Sequence, residues 1–140
     1  MITYLGLGTN LGNKTENIAQ AIQRINEQVG EVLRRSSDYV SEPWGFQSEN
    51  TFLNIVVAVE TLLEPFDLLQ KLQQIEKQLG RTEKTLGEYK DRIIDIDILL
   101  YDDKTIATSE LVIPHPLINE RDFVRIPLAE VNLHGGAFEG

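Results

Sequence analysis

The run Ile93-Ile94-Asp95-Ile96-Asp97-Ile98-Leu99-Leu100 constrains this chain more than any other stretch. Its β-branched content and length read as a strand over Ile93–Tyr101. Side chains alternate across a strand, so Ile94, Ile96 and Ile98 share one face and Asp95 and Asp97 the other. The isoleucine face must be covered by the core of a layered domain. The aspartate face needs a different account, because aspartate is a poor strand residue and two neighbouring anions on one face repel. A solvated face would tolerate them, although Thr, Lys or Glu would serve there at lower cost. A divalent cation compensates directly, and magnesium is held by one or two carboxylates completed by substrate phosphates and water.

The rest of the chain supplies partners for that strand. Ile2–Leu7 is a short apolar strand ending in glycines, and Gly8–Asn13 is turn-rich. Lys14–Val29 reads as a helix, with Ile18, Ala21, Ile22 and Ile25 at helical spacing and Thr15 as the expected cap. Val32–Val40 reads as one strand of mixed pattern, closed by Glu42-Pro43-Trp44-Gly45, and Phe52–Thr61 as a strand rich in Val and Ile. A second helix, Phe66–Leu79, carries the stripe Leu68, Leu69, Leu72, Ile75 and Leu79 between Pro65 and a terminating Gly80. Thr82–Asp91 is a polar loop. A hairpin-like stretch follows Asp102-Asp103, and Phe123–Val131 is a last apolar segment before a tail, 134–140, expected to fray. The order β-α-β-β-α-β predicts an α+β domain of ferredoxin-like (βαββαβ) type, an antiparallel sheet with two helices packed on one face.

A chain of 140 residues predicts one domain over 1–140, and 41% hydrophobic residues suffice for a core without staples. With no cysteine there is no disulfide, zinc–thiolate site or thiol nucleophile. The N-terminus lacks the basic region of a signal peptide, and no run approaches the ~18 apolar residues of a membrane span. A cytoplasmic monomer, with no membrane partner, is the default expectation. A net charge of −9 argues against nucleic-acid binding. Within this acidic chain, Arg81, Lys84, Lys90 and Arg92 concentrate positive charge just before the aspartate strand. Guanidinium groups suit phosphoryl oxygens, so cations beside a metal-binding carboxylate pair fit phosphoryl transfer; a solvated basic loop is the alternative.

Four other features have weaker chemistry of their own. Gly6-Leu7-Gly8-Thr9-Asn10-Leu11-Gly12-Asn13-Lys14-Thr15 is not a P-loop, because Asn13 separates the glycine from Lys14, and it lacks the spacing of a dinucleotide fingerprint. A structural turn, or a loop lining a site through Asn10, are the remaining readings. His115 lies between Pro114 and Pro116, where a structural role is the commoner one. Phe52, Trp44, Tyr89 and Phe123 serve either a core or a flat ring. Asn54, on an apolar strand, needs partners for its amide, and a hydrogen-bonding heterocycle is one source.

Taken in order, Gly8-Thr9-Asn10-Leu11-Gly12, Ser41-Glu42-Pro43-Trp44-Gly45 with Gln47, Phe52-Leu53-Asn54, Ile75-Glu76, Leu79-Gly80-Arg81, Asp91–Leu99, Ile113-Pro114-His115-Pro116 and Arg121-Asp122-Phe123 resemble the 6-hydroxymethyl-7,8-dihydropterin pyrophosphokinase family over nearly the whole chain. The resemblance implies a ferredoxin-like fold and transfer of the pyrophosphoryl group of ATP to the pterin hydroxymethyl oxygen, with release of AMP, in folate biosynthesis. It implies that Asp95 and Asp97 ligate two Mg2+ ions on the triphosphate, that Asp97 also orients or deprotonates the hydroxyl, and that Arg81 and Arg92 brace the transferring group. Asn54 would bond the pterin edge and Phe52 and Phe123 sandwich its ring, with Asn10, Ser41, Pro43, Trp44 and Gly45 completing that pocket. Glu76, Lys84, Ile98, His115 and Arg121 would lie on the ATP side.

The chain departs from the family pattern in three places. Tyr89-Lys90-Asp91-Arg92 replaces the usual Trp-Gly-Pro-Arg, in a loop about one residue longer; Pro116 follows His115 where an aromatic is common; and the chain stops soon after Val131. Two other classes use similar residues. A magnesium-dependent nucleotide hydrolase would share the Asp pair without needing Phe52, Asn54 and Phe123, and a non-catalytic ligand-sensing domain would bind without turnover.

Overall fold

The computed structural model describes residues 1–41, 51–80, 93–116 and 118–132. In chain order these form β1 (Ile2–Thr9), α1 (Lys14–Gln28), β2 (Gly30–Arg35), β3 (Tyr39–Ser41), β4 (Phe52–Thr61), α2 (Pro65–Gln78), β5 (Asp95–Tyr101), β6 (Ile106–Ala107), β7 (Val112–Ile113) and α3 (Asp122–Val131). The main sheet runs β2-β4-β1-β5, with β3 also on β4 and every pairing antiparallel; β6 and β7 form a separate hairpin. With β2 and β3 taken as one interrupted strand, this is the spatial order of a ferredoxin-like βαββαβ chain.

Alternation along the strands sorts the side chains into two layers. Leu5 and Leu7 of β1, Ile55, Val57 and Val59 of β4, and Ile96 and Ile98 of β5 face α1 and α2, where they meet Ile18, Ala21 and Ile25 and Leu68, Leu72 and Ile75. The opposite face carries Tyr4, Val56, Ala58 and Leu99, covered by Leu128 and Val131 of α3 together with Ile118. Leu99 follows Asp95 and Asp97 onto this second face by simple alternation, and a shift in the β1–β5 register between Tyr4 and Leu5 then returns Tyr101 to the first. The two helices expected on one face, α1 and α2, are there, and the apolar segment Phe123–Val131 is a third helix on the other.

Three further expectations are corrected. The strand read over Val32–Val40 is two strands, because the pairing with β4 is interrupted over Ser36, Ser37 and Asp38. Ser36 is buried there, its N–H donating to the Val56 carbonyl at 2.8 Å and its hydroxyl accepting the Val56 N–H at 2.9 Å. A side chain thus replaces one rung of the ladder, a use of serine that a hydrophobic pattern cannot reveal. The cap of α1 is Asn13, not Thr15: its Oδ1 accepts the Glu16 N–H at 3.1 Å, and Thr15 falls inside the first turn. The strand read from Ile93 begins at Asp95, opposite Gly8, where the β1–β5 pairing ends.

Gly30 joins α1 to β2 where no other residue fits, since a Cβ there would lie 1.9 Å from the Glu60 carbonyl oxygen. Gly80 ends α2 at φ +108, in the left-handed region that favours glycine, as its sequence position implied. No helix among the described residues is long and apolar enough to cross a membrane.

Candidate active site

α3 covers only part of the second sheet face. Beyond its N-terminal end no other described element covers the face, and there the strand register lines up two rows of residues across three strands. Asn54 of β4 pairs with Gly8 of β1, which pairs with Asp95 of β5; in the next row Val56, Gly6 and Asp97 are matched in the same way. With strands ~4.8 Å apart, the amide of one edge and the acid of the other stand about 10 Å apart across a strip that has no side chain. The result is a trench, and all six of these residues line a cavity of ≈ 90 Å³. Ser41 and Phe52 close it on the β3–β4 side, Arg121, Phe123 and Val124 on the α3 side, and Leu99 at its apolar end.

Asp95 is half-buried and Asp97 exposed, both on the cleft face. Among the described residues no group of three or more His, Cys, Asp or Glu is gathered to hold a metal. Two carboxylates on one strand face, open to a cleft, suit magnesium, which takes most of its remaining ligands from phosphates and water. A closed all-protein cage would need more donors than these residues bring, so the donor set fits the ion the sequence implied.

Asn54 is buried on β4 and its amide nitrogen is fully engaged. Nδ2 donates to the Tyr39 carbonyl at 3.0 Å and to the Ser41 hydroxyl at 2.8 Å, with the Phe52 carbonyl at 3.4 Å. Carbonyl oxygens only accept, so the orientation of the amide is determined by chemistry and Oδ1 is the atom turned toward Gly8. The same bonds tie β3 to β4, which is why Ser41 and Phe52 reach the cleft together. Arg121 sits just before α3 with its guanidinium 5.6 Å from the centroid of the Phe123 ring, a cation–π distance.

His115 follows the cis Ile113–Pro114 bond, and its backbone N–H donates to the Leu99 carbonyl of β5 at 3.0 Å. Burial holds its imidazole below the usual pKa of 6.5; the positive Arg121 adds to that, and Asp95 opposes it. The neutral ring is therefore favoured next to the aspartate strand. Glu76 of α2 is buried, and its Oε2 accepts the N–H of Ile96, the residue between the two aspartates, at 2.8 Å. Among the described residues β5 is the edge of the sheet, and this carboxylate satisfies a backbone donor that no described strand covers.

The structure thus brings together Ser41, Phe52, Asn54, Asp95, Asp97, Arg121 and Phe123 in one cleft. Asn10 is fully buried at the end of β1, and neither it nor Glu76 nor His115 lines that cleft. The side chain of Ile98 lies in the core under the other face, so a ligand contact at this position is left to its backbone. Pro43, Trp44, Gly45, Arg81, Lys84 and Arg92 lie outside the described residues. Sequence reasoning missed Gly6, Val56, Leu99 and Val124 as lining residues and placed Gly8 only in a turn. The spacing of two between Gly6 and Gly8 was the available signal, once both are seen to belong to β1.

Residues 4–133 match the family described as 7,8-dihydro-6-hydroxymethylpterin-pyrophosphokinase (HPPK). The chain is 47% identical over 132 residues to a 2-amino-4-hydroxy-6-hydroxymethyldihydropteridine pyrophosphokinase of Porphyromonas gingivalis, covering 93% of this chain and 90% of that protein. The enzyme of the same name from Aquifex aeolicus is 43% identical over 128 residues, covering 91% of this chain and 78% of that protein. Among solved structures, Plasmodium falciparum HPPK-DHPS with pteroate matches with a TM-score of 0.72 at 17% identity; 96% of this chain corresponds to 40% of that longer one, and the likeness there is one of fold. Sequence and fold agree, and the chain belongs to the 7,8-dihydro-6-hydroxymethylpterin-pyrophosphokinase (HPPK) family.

Proposed function

We infer that this chain transfers the pyrophosphoryl group of ATP to the hydroxymethyl oxygen of 6-hydroxymethyl-7,8-dihydropterin and releases AMP, a step in folate biosynthesis. The observation that carries this reading, within an HPPK family member, is the pairing of Asp95 and Asp97 with Asn54 across one glycine-floored trench. A hydrolase acting on nucleotide alone has use for the acids but none for the amide and the two phenylalanines opposite them.

In this reading the flat ring occupies the β4 side, with its edge on Asn54 and its faces against Phe52 and Phe123. Its hydroxymethyl group then points across β1 toward the aspartates. Asp95 and Asp97 would hold two magnesium ions, which when bound supply charge neutralisation for the triphosphate and alignment for in-line attack. Asp97, the more exposed acid, is proposed to orient the hydroxyl and accept its proton. Arg121 contributes positive charge at the α3 side of the cleft, and Arg81, Lys84 and Arg92 are proposed to brace the phosphates. Glu76, Ile98 and His115 are proposed for the ATP side, with Asn10, Pro43, Trp44 and Gly45 on the pterin side. A soluble, monomeric enzyme acting in the cytoplasm, with no nucleic acid or membrane partner, is the accompanying proposal.

The test is AMP release from ATP with magnesium, with and without the pterin. AMP formed only when the pterin is present supports the transfer. ADP, or AMP formed equally without pterin, would replace it by a hydrolase, and absence of any turnover by a binding domain.

A further inference from the structure

We propose that Pro127 is a positioning residue of the cleft: it divides α3 into an anchored rear half and a front turn that carries Phe123 and adjusts to close on the bound ring. This deepens the pterin reading and rests on it. Pro127 stands inside α3, past the first turn, whose N–H groups need no helical partner. Proline has no N–H, so the helix bond that residue 127 would give to the Phe123 carbonyl is not made, and a proline ring crowds that same carbonyl. The missing bond is the one that would couple Phe123 directly to the rear half.

Burial changes at the same residue. Asp122, Arg125 and Ile126 are exposed and Phe123 and Val124 half-buried, whereas Pro127, Leu128 and Val131 are buried. Leu128 and Val131 pack with Tyr4, Val56 and Leu99, and Glu130 is tied to Ser37. The front turn is held mainly by local bonds. The Val124 and Arg125 N–H groups donate to the Arg121 carbonyl at 3.0 and 2.9 Å, and Arg125 pairs with Asp122 at 2.8 Å on an exposed surface. Val124 touches the second-face cluster as a partly buried neighbour. Yet the α3 residues that line the cavity, Phe123 and Val124, both lie in this turn, with Arg121 just before it. A segment with few buried contacts opens at a lower free-energy cost than the core it adjoins. The α3 wall of the cleft is thus the less anchored part of the helix, and Pro127 marks where the anchoring starts.

The experiment compares the wild type with Pro127→Ala and Pro65→Ala. It measures 6-hydroxymethylpterin binding by calorimetry, with magnesium and a non-hydrolysable ATP analogue present, together with thermal unfolding and backbone amide exchange. Pro65 is the matched control: it too is a buried helical proline, but it starts α2, where an N–H has no helical partner. Pro127→Ala supplies an N–H to the Phe123 carbonyl and joins the front turn to the rear half. Closing on the ring then works against one added hydrogen bond, so pterin affinity should fall about three- to tenfold. Pro65 follows the end of β4 opposite to the one that carries Phe52 and Asn54, so Pro65→Ala should bind pterin within about twofold of wild type, whatever its unfolding midpoint. In the wild type, pterin should slow amide exchange at residues 124–126 and leave residues 129–131 unchanged; in Pro127→Ala residues 124–126 should already be slow without ligand. Unchanged pterin affinity in Pro127→Ala would overturn the proposal, as would an equal loss in Pro65→Ala. Should Pro127→Ala fail to fold, wild-type exchange decides: slowing confined to the front turn supports the proposal, and slowing of both halves or of neither overturns it. Wild-type protein that binds no pterin would remove the functional reading and this inference with it.

Discussion

Asp97 is more exposed than Asp95 on the same strand face, and that difference separates their expected roles. Replacing Asp97 by alanine should leave pterin binding nearly intact while lowering kcat by about a hundredfold or more, the scale of losing a group that acts on developing charge. Single-turnover kinetics together with pterin calorimetry would separate the two effects, and a variant with most of its kcat would remove the metal assignment. Glu76 is a different case, because its carboxylate is buried against the Ile96 N–H. Glu76→Ala should orphan that donor and destabilise the fold by about 1–3 kcal/mol, measured by urea unfolding. Glu76→Gln keeps an acceptor and should recover most of the loss; if both variants lost equally, the charge of the carboxylate rather than its hydrogen bond would be the stabilising feature.

At the scale of elements, α3 is tied near its C-terminal end to the break between β2 and β3. Glu130 near its C-terminal end accepts the Ser37 N–H at 3.0 Å and the Ser37 hydroxyl at 2.8 Å. Those bonds hold the Glu130 carboxyl below its ordinary value of 4.5. A depressed carboxylate contributes stability that is present above its unfolded pKa and lost as pH falls through the folded one. The stability difference between wild type and Glu130→Ala should therefore be constant near neutral pH and shrink below about pH 4.5, traced by denaturant unfolding across that range. A difference that grew on acidification would contradict the Ser37 contact. The buried anchors of the same helix are stronger: Leu128→Ala removes a side chain packed with Tyr4, Val56 and Leu99 and should cost about 2–5 kcal/mol.

For the whole molecule, the core of the described residues closes on both sheet faces from apolar side chains, and the chain has no cysteine for a disulfide. Chelation of magnesium should consequently stop turnover while leaving the unfolding temperature within a few degrees, by scanning calorimetry. A large fall in that temperature would show that the aspartate pair needs its cation for folding as well as for chemistry.

The two helices facing the isoleucines, the long strand Phe52–Thr61 and the single-face placement of Asp95 and Asp97 were all legible in the sequence. Each follows from local periodicity, 3.6 in Leu68, Leu72 and Ile75 and two in Ile94, Ile96 and Ile98, and periodicity is a property of neighbouring residues alone. The family motifs grouped Asn54, Phe52 and Phe123, and these line the same cavity as the two aspartates. What the tertiary structure decided was everything that depends on contacts between distant segments. Ser36 breaks a strand because Val56 is there to bond it. Phe123–Val131 is a helix on the second face because Tyr4, Val56 and Leu99 leave an apolar surface to cover. Gly8 changes from a turn residue to the floor of a cleft because register places it between Asn54 and Asp95. Register is a relation between strands far apart in the chain, and no local pattern encodes it.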